Sequence, residues 1–420
     1  MQDDAASKPP AKPKRSIADS IRDVKFRREP SGFDFALADK IDFLRSEHWD
    51  RVTQSSSVFF DRKVLSAIEA AGPAEIQPHY ALLYRDGTPV AALVMQVIAI
   101  SGGQLVKTPD ANDADAKQSK RQKLASETLK HMHRRILVCG NLLSWGPHGV
   151  AIAHGEDVES VWPGVAEALY RVRRANKLIG QTDYVMLKDV SADHHASMES
   201  MRRFRYRPKE TEPDMVLEIQ PQWQGFDDYL DTLNRKYRKP IKNVFKELEA
   251  AGCTVEREDN VADHDARLHE LYLAVNQRAK VRLVTIPEGY FGALADALGP
   301  DRFRCTVIRR DGDILGFVTT IRDGDTAIGY YLGMDYAANT NLPLYFRLLY
   351  AVIEAGIELG CRRISFGRTA LEPKARLGCH PVPMHVWIRH RVPLVNYVAQ
   401  QLFKTVPHDE APERSPFKQT

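Results

Sequence analysis

The chain has 420 residues, of which 43% are apolar, and this length and composition suit two domains or one large one, with sizeable buried cores. Its 59 Lys and Arg residues against 55 Asp and Glu residues leave a net charge of +4, which neither requires nor excludes a polyanionic partner. The five cysteines are scattered, without a CxxC pair or a Cys/His cluster, which argues against a disulfide framework and a zinc module.

The longest apolar run, residues 90–100, is far shorter than a membrane-spanning helix, and the start of the chain lacks the apolar core of a signal peptide. We therefore expect no membrane span, no metal and a cytoplasmic location. Residues 1–30 combine prolines with many Lys and Arg residues, which predicts a basic disordered tail. Helical spacing of apolar residues then predicts helices near 36–46 and 61–71.

The remainder of the first half predicts a hairpin, a third strand, a helix and a fourth strand. The hairpin is predicted because Asp86-Gly87 supplies the positive φ angles that a tight reversal needs. A basic insertion, residues 102–134, separates the hairpin from the third strand. The predicted elements lie at residues 79–84, 90–100, 136–143, 158–174 and 184–187.

The second half predicts the same order of elements, with its own Asp311-Gly312 turn in the hairpin. The closing strands, at Val185 and Ser365, lie 180 residues apart, which indicates a structural duplication. The predicted elements of this half lie at residues 304–308, 314–321, 327–332, 344–359 and 363–366.

The duplication predicts an α/β fold of two tandem units, each a mixed sheet flanked by helices and closed by a right-handed crossover. The first unit is expected over residues 31–222 and the second over 223–395, with a C-terminal tail over 396–420.

Several segments of the second half form the pattern of a known family. They are the basic helix at 226–241, the Gly-Tyr-Tyr-Leu-Gly-Met-Asp sequence at 329–335, the Arg-Ile-Ser-Phe-Gly-Arg-Thr sequence at 363–369, and Glu-Pro-Lys at 372–374 with the Leu-Gly that follows. This pattern resembles the FemAB-like acyltransferases, a branch of the GNAT superfamily, over residues 223–390.

The resemblance implies two tandem GNAT-like units, with an acyl or aminoacyl group transferred to an amine mainly in the second unit. In ordinary GNAT enzymes, a glycine-containing loop presents backbone N–H groups to the coenzyme A pyrophosphate. That loop is missing here, because residues 335–343 contain no glycine.

Four residues are predicted to be catalytic. Arg368 and Lys374 follow the closing strand, where open α/β sheets bind their ligands, and two cations there would hold a phosphate or a developing oxyanion. Tyr330 and Tyr331 are consecutive on the third strand, so their side chains are expected on opposite faces. The phenol that faces the cleft would protonate the leaving group, while the other packs in the core.

Four further residues are predicted to bind substrate. Asp335, at the end of the third strand, is interpreted either as a partner for the substrate amine or as the polar residue that begins the next helix. Asn276 and Arg278 would line the cleft from a helix, although a polar helical face explains them equally well. Thr369 follows Arg368 in the same motif.

The predicted function is transfer of an acyl group from a thioester donor, acyl-CoA, to a small-molecule or peptide amine, with a cell-envelope precursor as one such acceptor. Basic segments with interleaved aromatics, at 202–209 and 235–239, suit RNA, so aminoacyl-tRNA is the alternative donor and tRNA the alternative partner. Arginine stems covering apolar surface beside a sheet would give the same pattern. A non-catalytic protein that binds an envelope precursor is the remaining alternative.

Overall fold

The computed structural model describes residues 17–101, 133–279, 283–392, 395–396, 412 and 414–418. Of the predicted basic insertion, all but residues 133–134 lies outside this range, as do the first 16 residues and most of the predicted C-terminal tail.

The described residues form helices and strands in a repeating order. The helices are α1 (Ile17–Phe26), α2 (Ser46–Thr53), α3 (Arg62–Ala71), α4 (Val158–Ala175), α5 (Ala192–Ser197), α6 (Phe226–Thr232), α7 (Arg235–Ala250), α8 (Asp265–Asn276), α9 (Tyr290–Leu298), α10 (Tyr336–Asn339), α11 (Leu344–Glu358) and α12 (Leu371–Arg376). The strands are β1 (Asp34–Ala38), β2 (Gln77–Arg85), β3 (Thr88–Ser101), β4 (His133–Cys139), β5 (Val150–Ile152), β6 (Thr182–Val190), β7 (Arg207–Glu218), β8 (Thr254–Arg257), β9 (Phe303–Arg310), β10 (Asp313–Asp323), β11 (Thr326–Met334), β12 (Arg363–Ser365) and β13 (His380–His390).

The two halves of the chain share a scheme of strand pairing. In the first, β2 and β3 form an antiparallel hairpin and β4 runs parallel to β6. In the second, β9 and β10 form the hairpin and β11 runs parallel to β12. Both hairpin turns have the predicted left-handed backbone, with φ of 50° at Asp86 and 53° at Asp311. The α/β class with mixed sheets and flanking helices is therefore confirmed.

The sheets of the two units are joined into one, which the sequence does not indicate. The strand order is β1-β2-β3-β4-β6-β13-β7-β12-β11-β10-β9-β8, with β5 paired to β3. Strand β13, from the second unit, pairs with β6 of the first, while β7, which ends the first unit, pairs with β12 of the second. Each unit thus supplies the strand that completes the sheet of the other.

The helices α4 and α11 connect the parallel strands, and their apolar faces are buried. Val161, Val165 and Leu169 of α4 are fully buried, as are Leu348 and Ile353 of α11. This spacing of three to five residues places the apolar side chains on the face that meets the sheet. Burying each of these side chains stabilises the fold by about 1.5–3 kcal/mol.

The expectation of a helix at 36–46 is wrong, because residues 36–38 belong to β1, residues 41–43 form a short 3-10 helix, and α2 begins only at Ser46. Phe35 pairs with Leu83 and Leu37 with Ala81, so these residues complete the edge of the sheet. Pairing with a neighbouring strand outweighs helical spacing in so short a segment. The helix predicted at 61–71 is confirmed as α3.

The predicted tails also make specific contacts where they are described. Within the segment expected to be disordered, residues 17–26 form α1, and the ring of Phe26 lies 5.3 Å from that of Phe204 and 3.5 Å from the guanidinium of Arg203. At the other end, Phe417 forms an isolated β-bridge with Leu233 and packs against Trp223. An aromatic residue gives each segment enough apolar contact to order it.

Candidate functional site

The main cleft lies where β11 and β12 separate. Their parallel pairing ends at Ile328 and Ser365, although β11 continues to Met334. A cavity of about 1160 Å³ opens beyond that point, between β11, the end of α8, the start of α11 and the turn after β12. All of the predicted site residues except Asp335 line it: Tyr330, Tyr331, Arg368, Lys374, Asn276, Arg278 and Thr369.

An irregularity in the β10–β11 pairing shapes this cleft. The register shifts by one residue between Val318 and Thr320, and the Thr319 hydroxyl accepts a hydrogen bond of 3.1 Å from the Tyr331 N–H. The same hydroxyl lies 3.2 Å from the Tyr331 carbonyl oxygen, to which it donates. A side chain therefore replaces a regular rung of the ladder.

This bulge corrects the expectation for the two tyrosines. The rings of Tyr330 and Tyr331 lie 4.5 Å apart, edge to face, and both line the main cleft, rather than pointing to opposite faces of the sheet. An extra residue in one strand disrupts the alternation of side chains. Tyr330 shares a 2.8 Å hydrogen bond with the hydroxyl of Tyr290, and Tyr331 donates to the Leu143 carbonyl at 3.0 Å. Burial raises the pKa of both phenols well above the ordinary value, so both stay protonated.

Arg368 belongs to a buried charge cluster that joins the two units. The carboxylate of Asp189 is fully buried and accepts hydrogen bonds from Arg368 and Lys188, and from the Gly146 N–H at 3.0 Å. Lys188 also donates to the Ser144 carbonyl at 2.6 Å. Burial by itself would raise the pKa of Asp189, but the two cations hold it below its usual value. Burial lowers the pKa of Lys188.

Lys188, which lines the main cleft, and Asp189, which pairs with it, belong to the candidate site but were not predicted from the sequence. Lys188 precedes Arg368 by 180 residues, the same offset that separates the closing strands at Val185 and Ser365. Applying that offset to Arg368 would have identified Lys188 as its counterpart in the duplication. Nothing in the sequence indicated that both cations share one carboxylate.

Lys374 fixes the turn that follows β12. Its ammonium donates to the carbonyls of Phe366 and Gly367, at 2.6 and 3.1 Å, and the side chain is 3% exposed. Burial lowers its pKa to about 8. The nearby Cys379 and Asp214 favour the charged form and so oppose this shift. Lys374 is therefore a cation that can lose its charge in the physiological range.

Asp214 supports the same turn from β7. It accepts hydrogen bonds from the Ser365 hydroxyl at 2.7 Å and from the Gly367 N–H at 2.9 Å. Burial raises its pKa, although these hydrogen bonds oppose the shift. The strand that crosses from the first unit thus positions the turn that carries Arg368.

Trp145 of the first unit closes one side of the main cleft. Its indole N–H donates to the Ser365 hydroxyl at 2.7 Å, and its ring covers Gly367. Gly367 has φ of 73°, and a Cβ added there would lie 3.0 Å from the ring. Glycine is needed at 367 both for the backbone conformation and for the space.

The predicted substrate-binding residues occupy different positions. The Arg278 guanidinium lies 3.8 Å from the centre of the Tyr336 ring, at the cleft, and Asn276 donates to the Thr285 hydroxyl at 3.2 Å. Thr369 is exposed in the cleft. Asp335 instead caps α10, because its carboxylate accepts from the N–H groups of residues 337 and 338 at 2.8 and 3.2 Å.

The start of α11 lacks the anion cradle of ordinary GNAT enzymes. The side-chain carbonyl of Asn339 accepts a hydrogen bond of 3.1 Å from the Tyr345 N–H, and the Leu344 N–H donates to Leu342 at 2.8 Å. These N–H groups already have partners, so they do not offer a donor phosphate the contacts that a free helix start provides.

A second cavity, of about 720 Å³, lies against the opposite face of the sheet. Ile328 and Ser365 line it, whereas the next residues, Gly329 and Phe366, line the main cleft. Trp145 lines both cavities and separates them. Carboxylates dominate the charged lining of the second cavity, which includes Glu156, Asp214, Glu218, Asp323 and Asp325 together with Arg363.

Histidine 148 forms part of the wall between the units. His148 is buried, and its Nε2 lies 2.7 Å from the Trp145 carbonyl oxygen. Burial lowers its pKa, which favours the neutral ring. A neutral His148 adds no positive charge to the second cavity.

Residues 235–375 match the family model described as "Acetyltransferase (GNAT) domain". The matched segment runs from the start of α7 to α12 and includes all four predicted catalytic residues. The second unit therefore contains a GNAT acetyltransferase domain, which agrees with the predicted recognition and with an acyltransferase of class EC 2.3 for this part of the chain.

The individual proteins that resemble this chain have low sequence identity to it. The chain is 26% identical, over 263 residues, to the "Putative 8-amino-7-oxononanoate synthase 2" of two Mycobacterium tuberculosis strains, an alignment that covers 61% of this chain and 33% of each relative. The match thus spans one third of the length of these curated relatives.

Solved structures similar to this one include FemX, which has 13% sequence identity to this chain and a TM-score of 0.45. The superposition covers 92% of this chain and 98% of FemX. A tandem GNAT protein from the clavulanic acid biosynthesis pathway has 12% identity, with 86% and 99% covered and a TM-score of 0.45. At these scores the similarity supports no conclusion about activity.

Within the described residues, no group of three or more His, Cys, Asp or Glu side chains is placed to hold a metal ion. In the same part of the chain, no helix combines the length and apolar character needed to cross a membrane.

Proposed function

We propose that this protein is an N-acyltransferase that holds a thioester donor in the main cleft and transfers its acyl group to an amine that enters from the second cavity. The observation that carries the proposal is the junction at Trp145, Ser365 and Gly367, where two cavities on opposite faces of the sheet meet beside the end of the β11–β12 ladder. The acceptor is a small molecule or a peptide, and amine-bearing cell-envelope precursors belong to this class.

The chemistry needs a neutral amine, a stabilised oxyanion and a proton for the leaving thiolate. The amine nitrogen attacks the thioester carbon, and the carbon–sulfur bond breaks as the tetrahedral intermediate collapses. Arg368 and Lys374 place positive charge at the turn beside the reacting carbonyl, and the phenol of Tyr331 or Tyr330 donates the proton to sulfur. The amine loses one proton overall, so the products are an amide and a free thiol.

The acyl-carrying arm of a coenzyme A donor fits the open strand edge of β11, but its pyrophosphate has no backbone cradle at α11. Positive side chains would have to replace that cradle, and Arg278 lies at the cleft for this role. The five cysteines are unpaired, which suits the reducing cytoplasm in which we place the reaction.

An aminoacyl-tRNA donor is the second candidate. The Asn339 cap favours it, because an ester donor carried by tRNA does not need a pyrophosphate site at α11. The exposed cations of α7, Arg235, Lys236 and Lys239, would contact the RNA phosphates.

The test measures product formation from acyl-CoA and a panel of amines. Thiol release and the mass of the product are the two readouts. We expect transfer by the wild type and loss of more than about 100-fold in Arg368→Ala, with unchanged turnover in Arg28→Ala, an exposed arginine outside the cleft. Transfer from aminoacyl-tRNA alone would establish the second candidate. Binding of an amine without any product from either donor would show a non-catalytic binding protein.

A further inference from the structure

Two large aliphatic side chains stand exposed at the end of α4. Leu178 is 99% exposed and Ile179 is 71% exposed, in the turn that leads from α4 to β6. Single exposed aliphatic residues are common, but two adjacent ones at these exposures form an apolar tip that water solvates poorly.

The turn that carries this tip is held in place. The Asn176 carbonyl accepts hydrogen bonds from the N–H groups of Ile179 and Gly180, both at 3.1 Å. The Asn176 amide in turn donates to the Val172 carbonyl at 3.2 Å and lies 3.0 Å from Nε2 of His79. The aliphatic pair is therefore presented by an ordered turn.

Cations surround the tip. Arg173 and Arg174 form the last turn of α4, and Lys177 precedes Leu178. On the other side, the Arg135 guanidinium packs against Gly180 so closely that a Cβ there would lie 2.5 Å from Nη1. We call the aliphatic pair with these four cations the Leu178 surface.

Further cations lie behind this surface. Arg391 and Arg134 lie 2.9 and 3.7 Å from the buried carboxylate of Asp183, which is near the start of β6. The pKa of Arg173 is lowered by burial and then by the nearby positive charge of Arg389. Collecting like charges in this way costs stability, so an anionic partner would relieve it.

We propose that the Leu178 surface docks on the interface of an anionic lipid bilayer, with Leu178 and Ile179 inserted among the acyl chains and the cations against lipid phosphates. An exposed apolar pair ringed by Arg and Lys is the arrangement that interfacial binding requires. A nucleic acid fits less well, because bases stack on aromatic rings and arginine planes, whereas aliphatic tips offer no stacking face. The docking is independent of the transfer reaction.

The experiment is co-sedimentation of the full chain with vesicles of phosphatidylcholine alone and of phosphatidylcholine with phosphatidylglycerol. We expect retention only on the anionic vesicles, decreasing as salt is raised. Leu178→Ser with Ile179→Ser should weaken retention about tenfold or more, and Arg174→Gln with Lys177→Gln should weaken it several-fold.

Two matched variants serve as controls. Leu178→Met with Ile179→Val keeps the apolar tip and should bind as the wild type does. Lys242→Gln with Lys246→Gln removes two exposed cations from α7, away from this surface, and should also leave binding unchanged. Because all of these positions are exposed, circular dichroism should show unchanged folding.

Retention that survives the serine pair, or equal retention on phosphatidylcholine alone, would overturn the proposal. The proposal would also be overturned if the wild type failed to bind anionic vesicles but bound a mixed-sequence RNA, and if Arg174→Gln with Lys177→Gln weakened that RNA binding. That last result would identify the surface as a nucleic-acid contact.

Discussion

The main cleft and the second cavity lie on opposite faces of the sheet and meet at Trp145, and the charged side chains that line them differ in sign. The main cleft is lined by β11, the end of α8 and the start of α11, whereas the second cavity is lined by β7, β12, β13 and the loops that follow β4 and β5. Lys188, Arg368 and Lys374 line the first, whereas carboxylates such as Glu218 and Asp323 line the second. One sheet thus separates two cavities of opposite charge, and this difference is the reason for proposing an anionic donor in the main cleft and an amine in the second cavity.

The largest expected effect comes from removing the buried carboxylate that pairs with Lys188 and Arg368. Asp189→Ala leaves Lys188 and Arg368 as buried cations without their carboxylate, which should lower the free energy of unfolding by about 3–5 kcal/mol. Urea unfolding monitored by tryptophan fluorescence measures this change. Asp325→Asn, whose ion pair with Arg363 is half-exposed, is the matched control and should cost at most about 1 kcal/mol. Equal losses in the two variants would contradict the role of Asp189.

The next effect concerns the charge of Lys374. Its pKa in the fold is about 8, below the value of 10.5 expected in the unfolded chain, so between these values the unfolded state binds the additional proton. The free energy of unfolding should therefore rise with pH across that window, by up to about 3 kcal/mol, and Lys374→Met should remove this rise. Unfolding at pH 7.5 and pH 10, about the ends of that window, measures it.

The same titration should appear in catalysis. If the charge of Lys374 stabilises the oxyanion, acyl transfer falls as pH rises above about 8, and Lys374→Arg moves this fall to higher pH. A pH–rate profile with the same upper limb in both proteins would assign the charge to another group.

A smaller effect is expected where Trp145 packs on Gly367. Gly367→Ala adds a methyl group 3.0 Å from the indole at a φ of 73°, which should cost about 1–3 kcal/mol and displace Arg368. Gly312→Ala is the control, because it has a positive φ of 88° but open space around the added Cβ. Transfer activity should fall in the first variant alone, and a similar loss in both would show that backbone strain, not the ring contact, is responsible.

The smallest effect concerns the negative charge of the side chains that line the second cavity. Glu218→Gln removes one exposed carboxylate and should raise KM for a dicationic amine about two- to threefold, without changing KM for the donor. Glu249→Gln, an exposed carboxylate on α7, is the matched control. A change in the donor KM instead would place the amine elsewhere.

The local features of both units could be predicted from the sequence. The Asp86-Gly87 and Asp311-Gly312 turns and the apolar faces of α4 and α11 are determined by residues close together in the chain. The residues after β12 were identifiable because a short motif carries them. What local sequence does not contain is the partner of each strand, so the exchange of β7 and β13 was not predicted.

The site shows the same limit. Lys374 and Arg368 were identified by motif, whereas Asp189, which pairs with Arg368 across 179 residues, depends on tertiary structure alone. The bulge at Thr319 placed Tyr330 and Tyr331 in one cleft because a side chain replaced a ladder hydrogen bond, which no alternation rule anticipates.

The exchange of β7 and β13 has a consequence for how the chain is made. His385 pairs with Val190 of β6, so the sheet of the first unit is completed only when residues near the end of the second unit are available. During synthesis, one edge of β6 lacks its partner strand until β13 has left the ribosome. Such an unpaired edge pairs readily with other chains. We therefore expect the first unit to fold completely only together with the second, even though their local elements are repeated.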